Sequence, residues 1–135
     1  MSYSASVTVQ TLQYAGDMRG LFVVTITETD ASNTSETNFE VPKTFRIFRQ
    51  LCKLTAGTGT TIDPVVGTVT DPGNASNSAE LVYANGTAAV RVNNDINSGQ
   101  GAACYASGGK LYHRSVPDAG SDNSITTIYL IQGGW

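Results

Sequence analysis

Hydrophobic and polar residues alternate from the first few positions. Ala5, Val7 and Val9 fall on one side of an extended chain, and Ser4, Ser6, Thr8 and Gln10 fall on the other. A period of two marks a strand with one covered face, so a half-buried strand is predicted here. Gly16 and Gly20 punctuate a turn through Asp17, Met18 and Arg19. The alternation returns in LFVVTITET: Phe22, Val24 and Ile26 share a face, and Thr25, Thr27 and Thr29 share the opposite one. Threonine keeps the β-branched shape that suits a pleated surface while offering water a hydroxyl. TDASNTSET then reads as a polar loop, and NFEV leads to Pro42, which cannot donate to a ladder.

The run TFRIFRQLCKLT, residues 44–55, predicts a longer strand. Phe45, Ile47 and Leu51 take one face with Arg49 interrupting them, and Phe48 takes the other face with Cys52. A strand apolar on both sides is either central in its sheet or at an interface. AGTGTT is a turn, IDPVVGTVT a short strand and DPGNASNS a loop. In ELVYANGTAAVRV the pair Asn85-Gly86 suits a two-residue type I′ hairpin, whose two positions need positive φ. That turn would set Tyr83 opposite Ala88, Leu81 opposite Val90, and Glu80 opposite Arg91 as a cross-strand charge pair. NNDINSGQG is a loop, CYAS and KLYHRS are two short strands about the SGG turn, and PDAGSDNS is another loop. ITTIYLIQ is a strongly apolar last strand. The terminal Trp135 needs a surface to cover it, on its own domain or on a neighbouring subunit.

About eight short strands at this spacing predict an all-β fold with little or no helix: a single antiparallel β-sandwich or barrel. Length agrees, because 135 residues make one domain, 1–135, with room for a core that needs no metal or disulfide staple. Composition agrees too. Charged residues are only 14% of the chain, and Thr, Ser, Asn and Gly stand in their place, which disfavours surface helices.

Charge narrows the partners. The net charge is −3 and the eight Lys and Arg are scattered, so no basic face for nucleic acid is expected. MSYSASVTVQ has no basic start or apolar run, which predicts a chain made in the cytoplasm without a signal peptide, and no apolar stretch approaches a membrane span.

Candidate chemistry is thin. AACYASGGKLYHRSVPDAG, residues 102–120, carries Cys104, Ser107, the only histidine (His113), Ser115 and Asp118. Ser107 does not sit in the G-x-S-x-G turn of a nucleophile elbow. His113 alternates with Tyr112 and Arg114, so it shares a strand face with Leu111 and reads as an ordinary hydrogen-bonded strand residue. Cys52 and Cys104 have no metal-ligand spacing and read as buried free thiols, with a disulfide between them left open. NNDINSG and PDAGSDN are oxygen-rich but lack the closing Glu of a calcium loop. Asn33, Asn74 and Asn85 begin N-x-S/T triplets, which an Asn/Ser/Thr-rich chain produces by chance. No catalytic, cofactor or metal residue is therefore expected.

Two blocks together, VPKTFRIFRQLCKLTAGTGTTIDPVVGTV and GGKLYHRSVPDAGSDNSITTIYLIQGGW, resemble small β-rich virion structural proteins of tailed bacteriophages. The resemblance implies a non-enzymatic capsid decoration or cement protein on the outer shell of the head. Its partner would be the major capsid protein, and it would form a homo-oligomer on the shell, a trimer being consistent with virion symmetry. The chain lacks the Pro/Gly-rich N-terminal arm of one decoration family. The aromatic residues least explained by the inner faces, Phe48, Tyr112 and Trp135, are the expected contact residues. The alternative is a carbohydrate- or receptor-binding module of a phage tail or fibre.

Overall fold

The structure is a computed structural model, and it describes residues 2–11, 20–42, 44–68, 70, 80–83, 91–95, 104–105 and 109–133. Among them are ten strands and no helix: β1 (Ser4–Thr11), β2 (Leu21–Ala31), β3 (Glu36–Glu40), β4 (Thr44–Ala56), β5 (Val65–Gly67), β6 (Glu80–Tyr83), β7 (Arg91–Asp95), β8 (Cys104–Tyr105), β9 (Lys110–Arg114) and β10 (Asn123–Gly133). The larger sheet runs β1-β2-β10-β4-β7, with β8 also on β4; the smaller runs β3-β9-β5-β6. Every pairing is antiparallel. The two sheets share one apolar cluster and pack in a sandwich-like way, not as a closed barrel.

Alternation places the core as expected in β2, and the apolar run of β10 divides between its two faces. Phe22, Val24 and Ile26 point inward while their neighbours face out, and Ile125, Thr127, Tyr129 and Ile131 do the same on β10. With Phe45 and Ile47 of β4 they meet Phe39, Val66 and Leu111 of the smaller sheet in one apolar cluster. A second, smaller cluster of Ala31, Cys52, Ile62 and Ile125 closes the other end, with Tyr3 and Leu54 packed on it.

The inner face of β4 departs from a simple alternation. Its register against β10 slips between Leu130 and Ile131, which pair with Arg49 and Ile47 and leave Phe48 as an extra residue. This β-bulge reverses the phase of the strand. Phe45 and Ile47 face inward before it, and Gln50 and Cys52 face inward after it. Leu51, expected on the inner face, is therefore turned out and half-buried, and Arg49 does not interrupt the core.

Three further expectations change. β1 ends its sheet and is mostly exposed; the smaller sheet stops short of it, so Val9 remains 46% exposed. The Asn85-Gly86 turn lies outside the described residues, but the strands either side of it belong to different sheets. Glu80 pairs with Gly67 and Arg91 with Lys53, so the expected Glu80–Arg91 opposition is absent. β8 and β9 are likewise split, β8 lying on β4 and β9 between β3 and β5. Alternation identifies a strand and its faces but carries no label for the sheet that will accept it.

Candidate functional site

A polar layer crosses the sandwich between the two apolar clusters. Each contributing strand supplies one inward polar residue where its neighbours are apolar: Glu28 after Ile26 on β2, Gln50 before Cys52 on β4, Thr127 between Ile125 and Tyr129 on β10, and His113 after Leu111 on β9. Ser115 follows β9. All five are buried, four of them with no measurable exposure.

Their bonds form one chain. Gln50 Nε2 donates to the Tyr129 hydroxyl (2.9 Å), which lies 2.6 Å from His113 Nδ1. On the other side of the ring, His113 Nε2 lies 2.8 Å from Ser115 Oγ and 3.3 Å from Glu28 Oε1. Ser115 donates to Glu28 Oε1, and Tyr3 donates to Glu28 Oε2 at 2.7 Å. Thr127 Oγ1 bridges the ring (3.4 Å) to Cys52 Sγ (3.2 Å). The Tyr129 hydroxyl accepts from Gln50 and must donate onward, which assigns Nδ1 as acceptor and Nε2 as the protonated nitrogen. Both ring nitrogens of the buried His113 then have partners, Nδ1 the Tyr129 hydroxyl and Nε2 the Ser115 and Glu28 oxygens.

Electrostatics follow from this geometry. Burial alone would raise the Glu28 carboxyl, but hydrogen bonds from His113, Ser115 and Tyr3 outweigh it and hold the group below the ordinary glutamate range. Burial pushes the Tyr129 and Tyr3 hydroxyls up, with Glu28 adding to the effect at both. Burial also pushes the Cys52 thiol up to about 12. A thiol held that high is not a nucleophile at neutral pH.

Glu28, His113 and Ser115 have the letters of a catalytic relay without its arrangement. A relay places the carboxylate on one ring nitrogen and the nucleophile on the other. Here Glu28 and Ser115 meet the same Nε2, Tyr129 occupies Nδ1, and the imidazole has no exposure. What the arrangement does is hold two sheets together by directional bonds.

The oxygen-rich loop after β9 is also spent internally. Asp118 accepts from the Thr60 and Thr61 amides (2.7 and 3.0 Å) and from the Thr60 hydroxyl (2.6 Å); Asp122 accepts from the amide and hydroxyl of Thr58. These donors lower both carboxyls, Asp118 to about 2. Asn123 ties the same loops together through Gly59 N, Ala31 O and Ala119 O. Among the described residues no group of three His, Cys, Asp or Glu could hold a metal ion.

Of the expected contact residues, Phe48 sits at the β4 bulge on the outer face of the larger sheet, half-buried, with the Arg46 guanidinium 4.8 Å from its ring centre. Tyr112 is half-buried on the outer face of the smaller sheet, opposite Asn38 on one side and Gly67 on the other. The two rings are on opposite sides of the molecule and do not form one patch. Trp135 lies outside the described residues. The outer face that carries Phe48 also holds a shallow groove of about 420 Å³ over Leu51 and Ile128, rimmed by Thr55, Thr126, Lys53 and Arg91. Lys53 and Arg91 are directly opposed across β4 and β7. Like charges in that relation repel unless something acidic lies between them.

Cys52 is a free, buried thiol. Cys104 pairs with Phe45, seven positions along β4 from Cys52, which puts roughly 20 Å between the two backbones. A disulfide needs Cα atoms within about 7 Å, so the two are not bridged. No protein-family model matches the chain, and no curated protein matches it.

Proposed function

We propose that this chain is a non-enzymatic structural protein of a tailed-bacteriophage virion, a decoration or cement protein bound to the major capsid protein on the outside of the head. One observation carries the reading beside the resemblance of the two sequence blocks. Among the described residues, His113, Glu28, Ser115 and Cys52 are consumed in a closed internal network, so what these strands offer outward is sheet faces and edges. A cement protein needs such a rigid body with adhesive surfaces, because many weak contacts repeated over a lattice add through multivalency.

The outer face of the larger sheet is the docking face in this reading. Its apolar groove and opposed Lys53 and Arg91 suit an acidic side chain set beside apolar ones on the coat protein. Quantitative mass spectrometry of purified virions tests the proposal. Copy number comparable to the major capsid protein is expected; absence from the particles would sink it. Lys53→Glu with Arg91→Glu should lower the copy number severalfold in particles assembled with the double variant.

One placement favours a second reading, the carbohydrate-binding module. Tyr112 stands beside the bare Gly67 and the amide of Asn38, the setting of a ring that stacks on a sugar. Glycan-array binding that disappears in Tyr112→Ala would decide for it.

A further inference from the structure

Among the described residues five strands lie at sheet edges: β1 at one side of the larger sheet, β7 and β8 along β4 at the other, and β3 and β6 in the smaller. An exposed edge is a row of unpaired amides and carbonyls ready to pair with another chain, and charges placed there prevent it. β8 is only two residues long, and of the other four, three are charged. β3 has Glu36 and Glu40, β6 has Glu80, and β7 has Arg91 and Asp95. β1, SASVTVQT, has no charge and no proline. It is also the longest of the five at eight residues, and its register against β2 runs from Ser4 to Thr11 without a bulge.

The apolar side of this edge is also uncovered. Val9 is the exposed large hydrophobic among the described residues, and with Val7 it lines a cleft of about 430 Å³ against Phe39, between Glu40 and Lys110. Val7 and Val9 pair with Ile26 and Val24, so they share the core side of the sheet. Val7 is half-buried against the main core cluster, but the smaller sheet leaves Val9 exposed.

We propose that β1 is a self-pairing edge, through which two copies join antiparallel about a two-fold axis and run their larger sheets into one. The sequence is complementary to itself. With Val7 opposite the second Val7, Ala5 meets Val9 on the core side, and Ser6 meets Thr8 and Ser4 meets Gln10 on the outer side. Small residues oppose larger ones, hydroxyls oppose hydroxyls, and no charge opposes another. A two-fold axis normal to the sheet keeps core side with core side, so the two clefts merge and cover both Val9 side chains. An isologous contact of this kind closes at two copies. The inference does not depend on the virion reading and is tested on the purified chain alone.

Sedimentation velocity and hydrogen exchange, both over a hundredfold range of concentration, form the test. The mass is expected to rise from 14.2 kDa to twice that value, with the alternate amides of residues 4–11 gaining protection in step. Val9→Lys, which leaves a tolerable lysine on the exposed edge of a monomer, should abolish both changes. Arg91→Glu on β7, at the opposite side of the larger sheet from β1, should leave both intact. A single-chain mass at every concentration overturns the proposal, and so does a dimer whose β1 amides exchange as fast as in the monomer. The exchange measurement on the unaltered chain decides the matter even if Val9→Lys fails to fold.

Discussion

Glu28 is where the interior's polar bonding converges, accepting from Tyr3 and Ser115 with the His113 ring beside it. Truncating it would strand the buried Ser115 hydroxyl and the half-buried Tyr3 hydroxyl. Glu28→Ala should therefore cost about 3 kcal/mol, read as a lower denaturant midpoint at neutral pH. The pH dependence has a definite sign. The folded-state pKa lies below the unfolded one, so the stabilisation is complete above the unfolded glutamate pKa of roughly 4.3 and is lost as pH falls through the folded value. Asp118 and Asp122 act in the same acid range with the same sign. The wild type should thus lose stability as pH falls below about 4.3, and Glu28→Gln should lose less over the same interval. Cys52 gives an independent check. Peptide mapping after iodoacetamide should find it unmodified in the folded chain and modified once the chain unfolds. Val116 presents a different kind of residue effect. It is β-branched, precedes Pro117, and still adopts φ 41°. Val116→Gly should be neutral or stabilising by up to about 1 kcal/mol, read as a higher melting temperature.

At the scale of elements, the sequence disclosed what alternation can disclose. β2 was legible because Phe22, Val24 and Ile26 follow a period of two; β10 was legible as a strand from its apolar run, but not by face, since Ile128 and Leu130 point out and Thr127 points in. Glu28 was missed although the same count lands on it, since a carboxylate is not expected in a core until its donors are known, and these come from β9 and from Tyr3, far away in sequence. The β4 bulge left a trace that was misread. Arg49 amid apolar residues signalled a change of phase at Phe48 rather than a polar intrusion into the core. The pairings of β6, β7 and β8 had no local signal at all, because which sheet receives a strand depends on every other strand. The two loops joined by Asp118, Asp122 and Asn123 belong here as well. Asp118→Ala frees the amides of Thr60 and Thr61 and should lower the melting temperature, while Ser121, exposed in the same loop, should tolerate alanine with no change.

The whole molecule is unequal on its two sides and at its edges. The larger sheet carries an apolar groove between two cations on its outer face, a stacked Arg46–Phe48 pair beside the bulge, and an unguarded edge at β1. These lie on separate surfaces, so a copy could pair through β1 while its outer face rests on something else. A chain with Lys53→Glu and Arg91→Glu should still form the β1 dimer in solution. A chain with Val9→Lys should still reach the virion if the groove alone docks it.

The polar layer between the two apolar clusters has a consequence for how the chain finds its native alignment. The outer face of β2 repeats threonine at every second position, so sliding β2 by two residues along β10 would cost almost nothing on that side. On the inner side the same slip would press Glu28 into hydrocarbon and set Ile26 against the imidazole. The layer is a single notch in an otherwise even ruler, and it lets one alignment close while its near neighbours jam.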